Sequence, residues 1–166
     1  MSSRASVAPL RVDVGVEGGL SSIAKLAIAG VDDELLVVSH YSPGLISVLD
    51  RQTLEPLFRL DGHQQWVTDL DVSADGTMLA STDPYQGKVM VWDLVRKERI
   101  AEFDCGSACA GGVAISEDGS LLASGATVWD VASGRPLHTD LVDGSSRDVE
   151  LVGGRLFVVS DAVVHR

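Results

Sequence analysis

Three side chains near the middle of the chain are of the types found in a hydrolytic triad. His63, Ser81 and Asp83 could supply a base, a hydroxyl nucleophile and an orienting carboxylate. Acyl transfer also needs a sharply exposed nucleophile and donors for the oxyanion, and the sequence shows no motif for either. We therefore expect these residues to have a structural role and the chain not to be an enzyme.

Cysteines and paired acids are the candidate metal ligands. Cys105 and Cys109 are the two cysteines, and no second Cys/His pair has zinc-site spacing. We expect free thiols, with a local disulfide or a metal as alternatives. Asp69 and Asp71 share a strand face but lack the loop geometry of a calcium site. No phosphate-binding glycine motif is present, so we expect no metal and no cofactor.

Composition favours a globular β-rich chain and excludes some partners. The 166 residues are 45% hydrophobic, with 17 glycines against 5 prolines and a net charge of −11. An acidic surface repels phosphate backbones and anionic membranes, which makes nucleic acid and membrane poor partners and a basic protein a better one. No membrane-length apolar run and no secretory signal are seen, so we expect a cytoplasmic protein.

The candidate triad lies in a stretch that predicts consecutive short strands. Gly62-His63 opens this stretch and Trp92-Asp93 closes it. Three short runs of strand-like length and composition follow, at residues 67–72, 78–82 and 89–92. Such runs, separated by turn residues, predict strands, and the Asp-Gly at positions 75–76 predicts a tight hairpin turn.

The same pattern recurs along the chain at a nearly constant interval. Ser73-Ala-Asp-Gly76 returns 43 residues later as Ser116-Glu-Asp-Gly119. Val91-Trp92-Asp93 follows Val48-Leu49-Asp50 by 43 residues and precedes Val128-Trp129-Asp130 by 37. A period of about 40–45 residues, with Gly-His and Trp-Asp at the repeat ends, is typical of WD40 repeats. The chain resembles this family over about residues 9–166, most strongly over 62–103.

The resemblance implies an all-β fold, namely a WD40-type β-propeller fragment of four-stranded antiparallel blades that forms an open arc. We divide it into a disordered tail at residues 1–8 and a partial propeller at 9–166. Within the propeller, 9–16 is the outer strand of a partial blade. Repeats follow at about 21–60, 67–103 and 110–141, with a partial repeat at 147–166.

Two features of this division leave alternatives open. The third repeat is six residues short between Ser124 and Trp129, so either two short strands meet at a tight turn around Gly125 or the hairpin is lost. The chain could be an open arc from a longer propeller, or a four-bladed ring closed by pairing residues 10–16 with 162–166. Two chains could also complete one ring.

The resemblance also implies a role for the triad-like residues. In the family they form a structural tetrad of hydrogen bonds. Trp92 Nε1–H would donate to the hydroxyl of Ser81 or Thr82, which would bond His63, and His63 would bond Asp83. Such a set satisfies its own buried polar groups.

A candidate partner-binding surface lies on the loops around the same repeat. Gln65 and Trp66 follow the Gly-His, and Tyr85 lies in an extension, residues 84–86, that lengthens the loop after Asp83. In WD40 proteins these loops lie on one face, which commonly docks partners, and aromatic residues anchor interfaces. The alternative is that Trp66 only packs at the blade rim.

The family resemblance implies a non-catalytic scaffold for protein–protein interaction, with unknown protein partners and possible self-association to complete a propeller. One alternative is a propeller that binds or turns over a small ligand. The four histidines, at unlike positions in the repeats, argue against an axial active site. Another alternative is a truncated product without independent function.

Overall fold

The computed structural model describes residues 23–41, 44–106, 112–125, 127–139 and 146–160, and within them the chain forms fourteen antiparallel strands. The predicted tail at 1–8 and the predicted strands at 10–16 and 162–166 lie outside the described residues. The part of the chain that is described holds no helix with the length and hydrophobicity to cross a membrane.

The strands form three four-stranded sheets and one two-stranded sheet in chain order, which we call blades 1 to 4. Blade 1 contains β1 Ile23–Ala29, β2 Leu35–His40, β3 Ile46–Asp50 and β4 Pro56–Leu60. Blade 2 contains β5 Asp69–Val72, β6 Met78–Asp83, β7 Lys88–Asp93 and β8 Glu98–Asp104. Blade 3 contains β9 Val113–Ile115, β10 Leu121–Ser124, β11 Thr127–Asp130 and β12 Pro136–His138. Blade 4 contains β13 Ser146–Val152 and β14 Arg155–Ser160.

The shortened third repeat forms a complete blade. β10 and β11 pair with Ser124 opposite Thr127, and Gly125 takes φ 58° in the turn between them. That left-handed conformation has little steric cost for glycine. Of the two alternatives for this repeat, the very tight turn is therefore the one that forms.

Each blade buries one face against the next, so the core lies between blades. The Trp92 side chain packs with Val37, Ile46 and Leu79 between blades 1 and 2. Trp129 occupies the corresponding place between blades 2 and 3, where its ring centroid lies 5.6 Å from that of Phe103. Trp92 and Trp129, the tryptophans of the two Trp-Asp pairs, therefore pack between neighbouring sheets.

The recurring Ser-x-Asp-Gly sequence forms the same turn in blades 2 and 3. Asp75 Oδ1 accepts a hydrogen bond from the Ser73 hydroxyl at 2.7 Å, and Asp118 Oδ1 accepts one from Ser116 at the same distance. Hydrogen bonds from the hydroxyl and backbone of Ser120 hold the pKa of Asp118 at about 2. The Ser and Asp side chains satisfy polar groups of their own turn, which explains why this sequence recurs in the repeats.

Candidate functional site

A buried hydrogen-bonded network from blade 2 to the loop before it joins Trp92, Ser81 and His63. Trp92 Nε1–H donates to Ser81 Oγ at 2.8 Å, and Ser81 Oγ lies 2.8 Å from His63 Nε2. Ser81 has no exposed surface, and His63 is 5% exposed. The Ser81 hydroxyl accepts the Trp92 N–H, and it donates to His63 Nε2 or accepts from it according to the tautomer of the imidazole. The hydroxyl is thus a buried connector.

Asp83 does not complete the tetrad as predicted. Among the described residues, His63 Nδ1 has no hydrogen-bond partner. The carboxylate of Asp83 instead accepts from three backbone N–H groups: those of Gln65 at 3.0 Å, Tyr85 at 3.0 Å and Gln86 at 3.1 Å. The extended loop after Asp83 supplies two of these donors, and the carboxylate bonds these backbone groups instead of His63.

Burial keeps the His63 ring neutral. Desolvation lowers the pKa of His63 to about 4, against an opposing attraction from the Asp83 charge. Protonation of this buried ring is costly, so the stability that His63 contributes depends on pH.

Near these buried hydrogen bonds, three aromatic rings line an open hollow of about 430 Å³. The Trp66 ring centroid lies 4.6 Å from that of Tyr85 and 5.7 Å from that of Tyr41, with interplanar angles of 66° and 79°. Trp66 is 41% exposed, Tyr85 60% and Tyr41 38%. We call this the aromatic hollow, and Thr68 and Pro84 complete its lining.

The loops that carry these rings are tied together by the contacts of Asp83. Its carboxylate joins the backbone of the loop before β5, at Gln65, to that of the β6–β7 loop, at Tyr85. The backbone N–H of Gln64 also donates to Gln86 Oε1 at 2.8 Å. The Trp66 and Tyr85 backbones are therefore held in place relative to each other before any partner arrives.

Of the predicted surface residues, the structure brings together Trp66 and Tyr85. The Gln65 side chain is exposed but is not part of the hollow lining, and its backbone contributes the bond to Asp83. Tyr41, from the turn after β2 in blade 1, is the member that sequence reasoning missed. The repeat pattern could have indicated Tyr41, because this residue lies one repeat interval of 43 residues before Pro84, which also lines the hollow.

Comparisons with known proteins match the central repeat and the fold. A family model for "WD domain, G-beta repeat" matches residues 54–93. A 59-residue segment is 36% identical to Protein MAK11 of Saccharomyces cerevisiae, covering 34% of this chain and 14% of that protein. A chain in a crystal structure of the mitotic checkpoint complex superposes with a TM-score of 0.73 at 23% identity, covering 84% of this chain and 44% of that one.

The chain contains a WD40 repeat at residues 54–93, and its fold is of the propeller type. A structure of U3-55K also matches, with a TM-score of 0.69 at 20% identity over 81% of this chain and 44% of that one. The predicted all-β, propeller-type fold is thereby confirmed. The chain spans less than half the length of both solved chains and a small part of the curated relative.

A second hollow, of about 520 Å³, lies at the opposite end of WD40 blades 1 and 2. It is lined mainly by apolar side chains, with the exposed Val31, Leu57 and Val95 beside the half-buried Phe58. Lys97 Nζ lies 4.9 Å from the Phe58 ring centroid. No sequence pattern marks this hollow, because its members come from turns far apart in the chain.

The paired acids of β5 connect neighbouring WD40 blades. Asp69 pairs with Lys25 of blade 1 at 2.6 Å and accepts the Val113 N–H of blade 3 at 3.1 Å. Asp71 accepts the Ile115 N–H at 2.7 Å, and burial raises its pKa. Within the described residues, no three His, Cys, Asp or Glu side chains come together to hold a metal ion. The observed contacts make these acids inter-blade acceptors.

The expectation of free thiols is wrong for Cys105, which is disulfide-bonded in the structure. The other cysteine of the sequence, Cys109, lies outside the described residues. The spacing of the two cysteines had already allowed a local disulfide as one alternative. Zinc chemistry has no support at Cys105, because a disulfide sulfur is no longer a thiolate ligand.

Proposed function

We propose that this chain is a non-catalytic scaffold that binds a protein partner at the aromatic hollow. The observation that carries the proposal is the grouping of Tyr41, Trp66 and Tyr85, each at least 38% exposed, around one opening. Exposed and clustered aromatic residues are the commonest anchors of protein interfaces.

Order in the loops supports the same proposal. Three backbone bonds to Asp83 hold the loops of Trp66 and Tyr85 before binding. A partner then meets loops that need little further ordering, which lowers the entropy cost of association.

Burial of the triad-like residues supports a non-catalytic role. Ser81 has no exposed surface and already accepts the Trp92 indole N–H. A nucleophile must reach its substrate, and this hydroxyl cannot do so without opening the contact between blades 1 and 2. His63 is 5% exposed and equally remote from a substrate.

The test is affinity capture from cell extract with quantitative mass spectrometry, using the wild type, Trp66→Ala and Val95→Ala. Val95 is 68% exposed and lines the opposite hollow, so it is a matched control for loss of apolar surface. Thermal melts of all three proteins exclude misfolding. Proteins lost with Trp66→Ala and kept with Val95→Ala would support the proposal. Capture that ignores Trp66 would refute it.

Self-association is a second candidate, favoured by exposed apolar side chains on the two end sheets. Leu26 and Ile28 of β1 are 54% and 51% exposed, and Phe157 and Val159 of β14 are 56% and 58% exposed. Two copies could cover these faces by placing blade 4 of one against blade 1 of the other. Light scattering after size exclusion tests this: a dimer that Phe157→Asp dissociates supports it, and a monomer at all concentrations refutes it.

A further inference from the structure

We infer that the aromatic hollow receives an arginine side chain of the partner; this inference depends on the proposed function and specifies its chemistry. The two tyrosine rings stand at steep angles to the Trp66 indole, and all three line the same opening. The rings pack edge to face on one another, so a guest would meet the ring surface that stays exposed in the hollow. Ring faces carry negative quadrupole potential and attract cations.

Charge complementarity supports a cationic guest. The chain carries a net charge of −11. Among the described residues, the lining of the hollow contains no charged side chain that would repel a cation. Lys88, on the strand that follows the Tyr85 loop, is paired with Glu102 at 3.0 Å and Asp104 at 2.7 Å. Its charge is thereby compensated locally.

The openness of the site favours arginine over lysine. The three rings keep 38% to 60% of their surface exposed, so a guest remains partly in contact with water. A guanidinium can stack its face on a ring while its edge N–H groups stay hydrated. The ammonium of lysine is compact and strongly hydrated, and loses more of its hydration on the same surface.

The protein already contains one contact of this kind, where Lys97 lies over the ring of Phe58. That contact lies at the opposite end of the blades and uses a cation of the chain itself. At the aromatic hollow, no cation of the described residues lies over a ring, so the exposed part of the three rings is available to a partner.

The experiment uses three blocked pentapeptides, acetyl-Gly-Ser-X-Ser-Gly-amide, with X as arginine, lysine or citrulline. Citrulline keeps the planar shape of arginine without its charge. Binding to the full chain is followed by NMR through the Trp66 indole N–H, which the Trp66→Ala spectrum assigns. We expect the arginine peptide to bind about two- to five-fold more tightly than the citrulline peptide, the range of an exposed cation–π contact. The lysine peptide should fall between them.

Controls separate this inference from the proposed function. Val95→Ala should keep the arginine preference, and Tyr85→Ala should reduce it. Equal affinities for arginine and citrulline would overturn the inference, even if protein capture still depended on Trp66. Capture of the same proteins by the wild type and by Trp66→Ala would instead refute the proposed function. Binding to Trp66→Ala is followed through the other peaks of its spectrum. A preference for arginine that survives in this variant would place the cation elsewhere and also overturn the inference.

Discussion

Replacing His63 with glutamine should change the way in which stability depends on pH. The unfolded chain protonates this histidine near its ordinary pKa of about 6.5, whereas burial lowers the pKa in the folded state to about 4. The stabilising contribution of His63 is therefore complete above about pH 6.5 and is lost as the pH falls toward 4. The difference between the two pKa values corresponds to about 3 kcal/mol in the free energy of unfolding.

The variant should also be less stable at neutral pH, for a different reason. Removing the imidazole takes away one of the two hydrogen-bond partners of the buried Ser81 hydroxyl, which costs about 1–3 kcal/mol. At pH 7 the wild type should be the more stable protein by that amount. Near pH 4 the difference should disappear or change sign, because only the wild type has to resist protonation of a buried imidazole.

Urea unfolding followed by tryptophan fluorescence, at half-unit steps from pH 4 to pH 7, measures both effects. All other titrating groups are shared, so the difference between the two proteins isolates His63. A stability difference that stays constant over this range would refute the buried, neutral histidine. If His63→Ala had the same unfolding midpoint as the wild type at pH 7, the hydrogen bonds of His63, Ser81 and Trp92 would not stabilise the fold.

The remaining predictions concern turns, inter-blade contacts and loop order. Gly76→Ala should lower the melting temperature more than Gly134→Ala: both glycines have φ near 70°, but only at Gly76 would the added Cβ overlap a neighbouring blade's backbone. Equal losses would contradict the close contact between blades. Asp71→Ala should destabilise by about 1–3 kcal/mol because the Ile115 N–H loses its acceptor. Asp71→Asn should be at least as stable as the wild type at pH 7, with a gap that closes as the pH falls through the raised pKa of Asp71; a stability profile parallel to that of the wild type would refute this. Asp83→Ala should speed amide exchange in the loops of the aromatic hollow without unfolding the blades, and unchanged exchange there would contradict its role as their tie.

Short strand-like runs separated by turn residues made most of the blades predictable. Residues 78–82 were expected to form a strand, and β6 is Met78–Asp83. The strand expected at 67–72 begins at Asp69 instead. The reason is tertiary, since the Val67 N–H bonds the His40 carbonyl of blade 1 at 3.3 Å, and this contact is invisible to a local pattern.

The candidate site was only partly predictable, because its contacts cross between repeats. The order of Trp92, Ser81 and His63 in the hydrogen-bonded chain follows from the family pattern, and the structure has it. The role of Asp83 was wrong because three inserted residues changed which donors it could reach. Tyr41 was missed because a single aromatic residue in a turn gives no local signal of the rings it will meet.

The disulfide at Cys105 was also beyond what spacing could decide. A spacing of four positions between two cysteines is compatible with free thiols or with a bond, so it does not decide the state of Cys105. The acids of β5 show the same limit. Their spacing placed them on one strand face, but only the packing of blade 3 identified the N–H groups that they accept.

The most direct test of the scaffold account is hydrogen–deuterium exchange of the chain with and without a partner captured by the wild type. The account predicts new protection at Tyr41, in the loop at residues 61–66 and in the turn at 84–87, which together carry the aromatic hollow. Unchanged exchange there, with protection instead at the opposite hollow around Val31 and Val95, would contradict it.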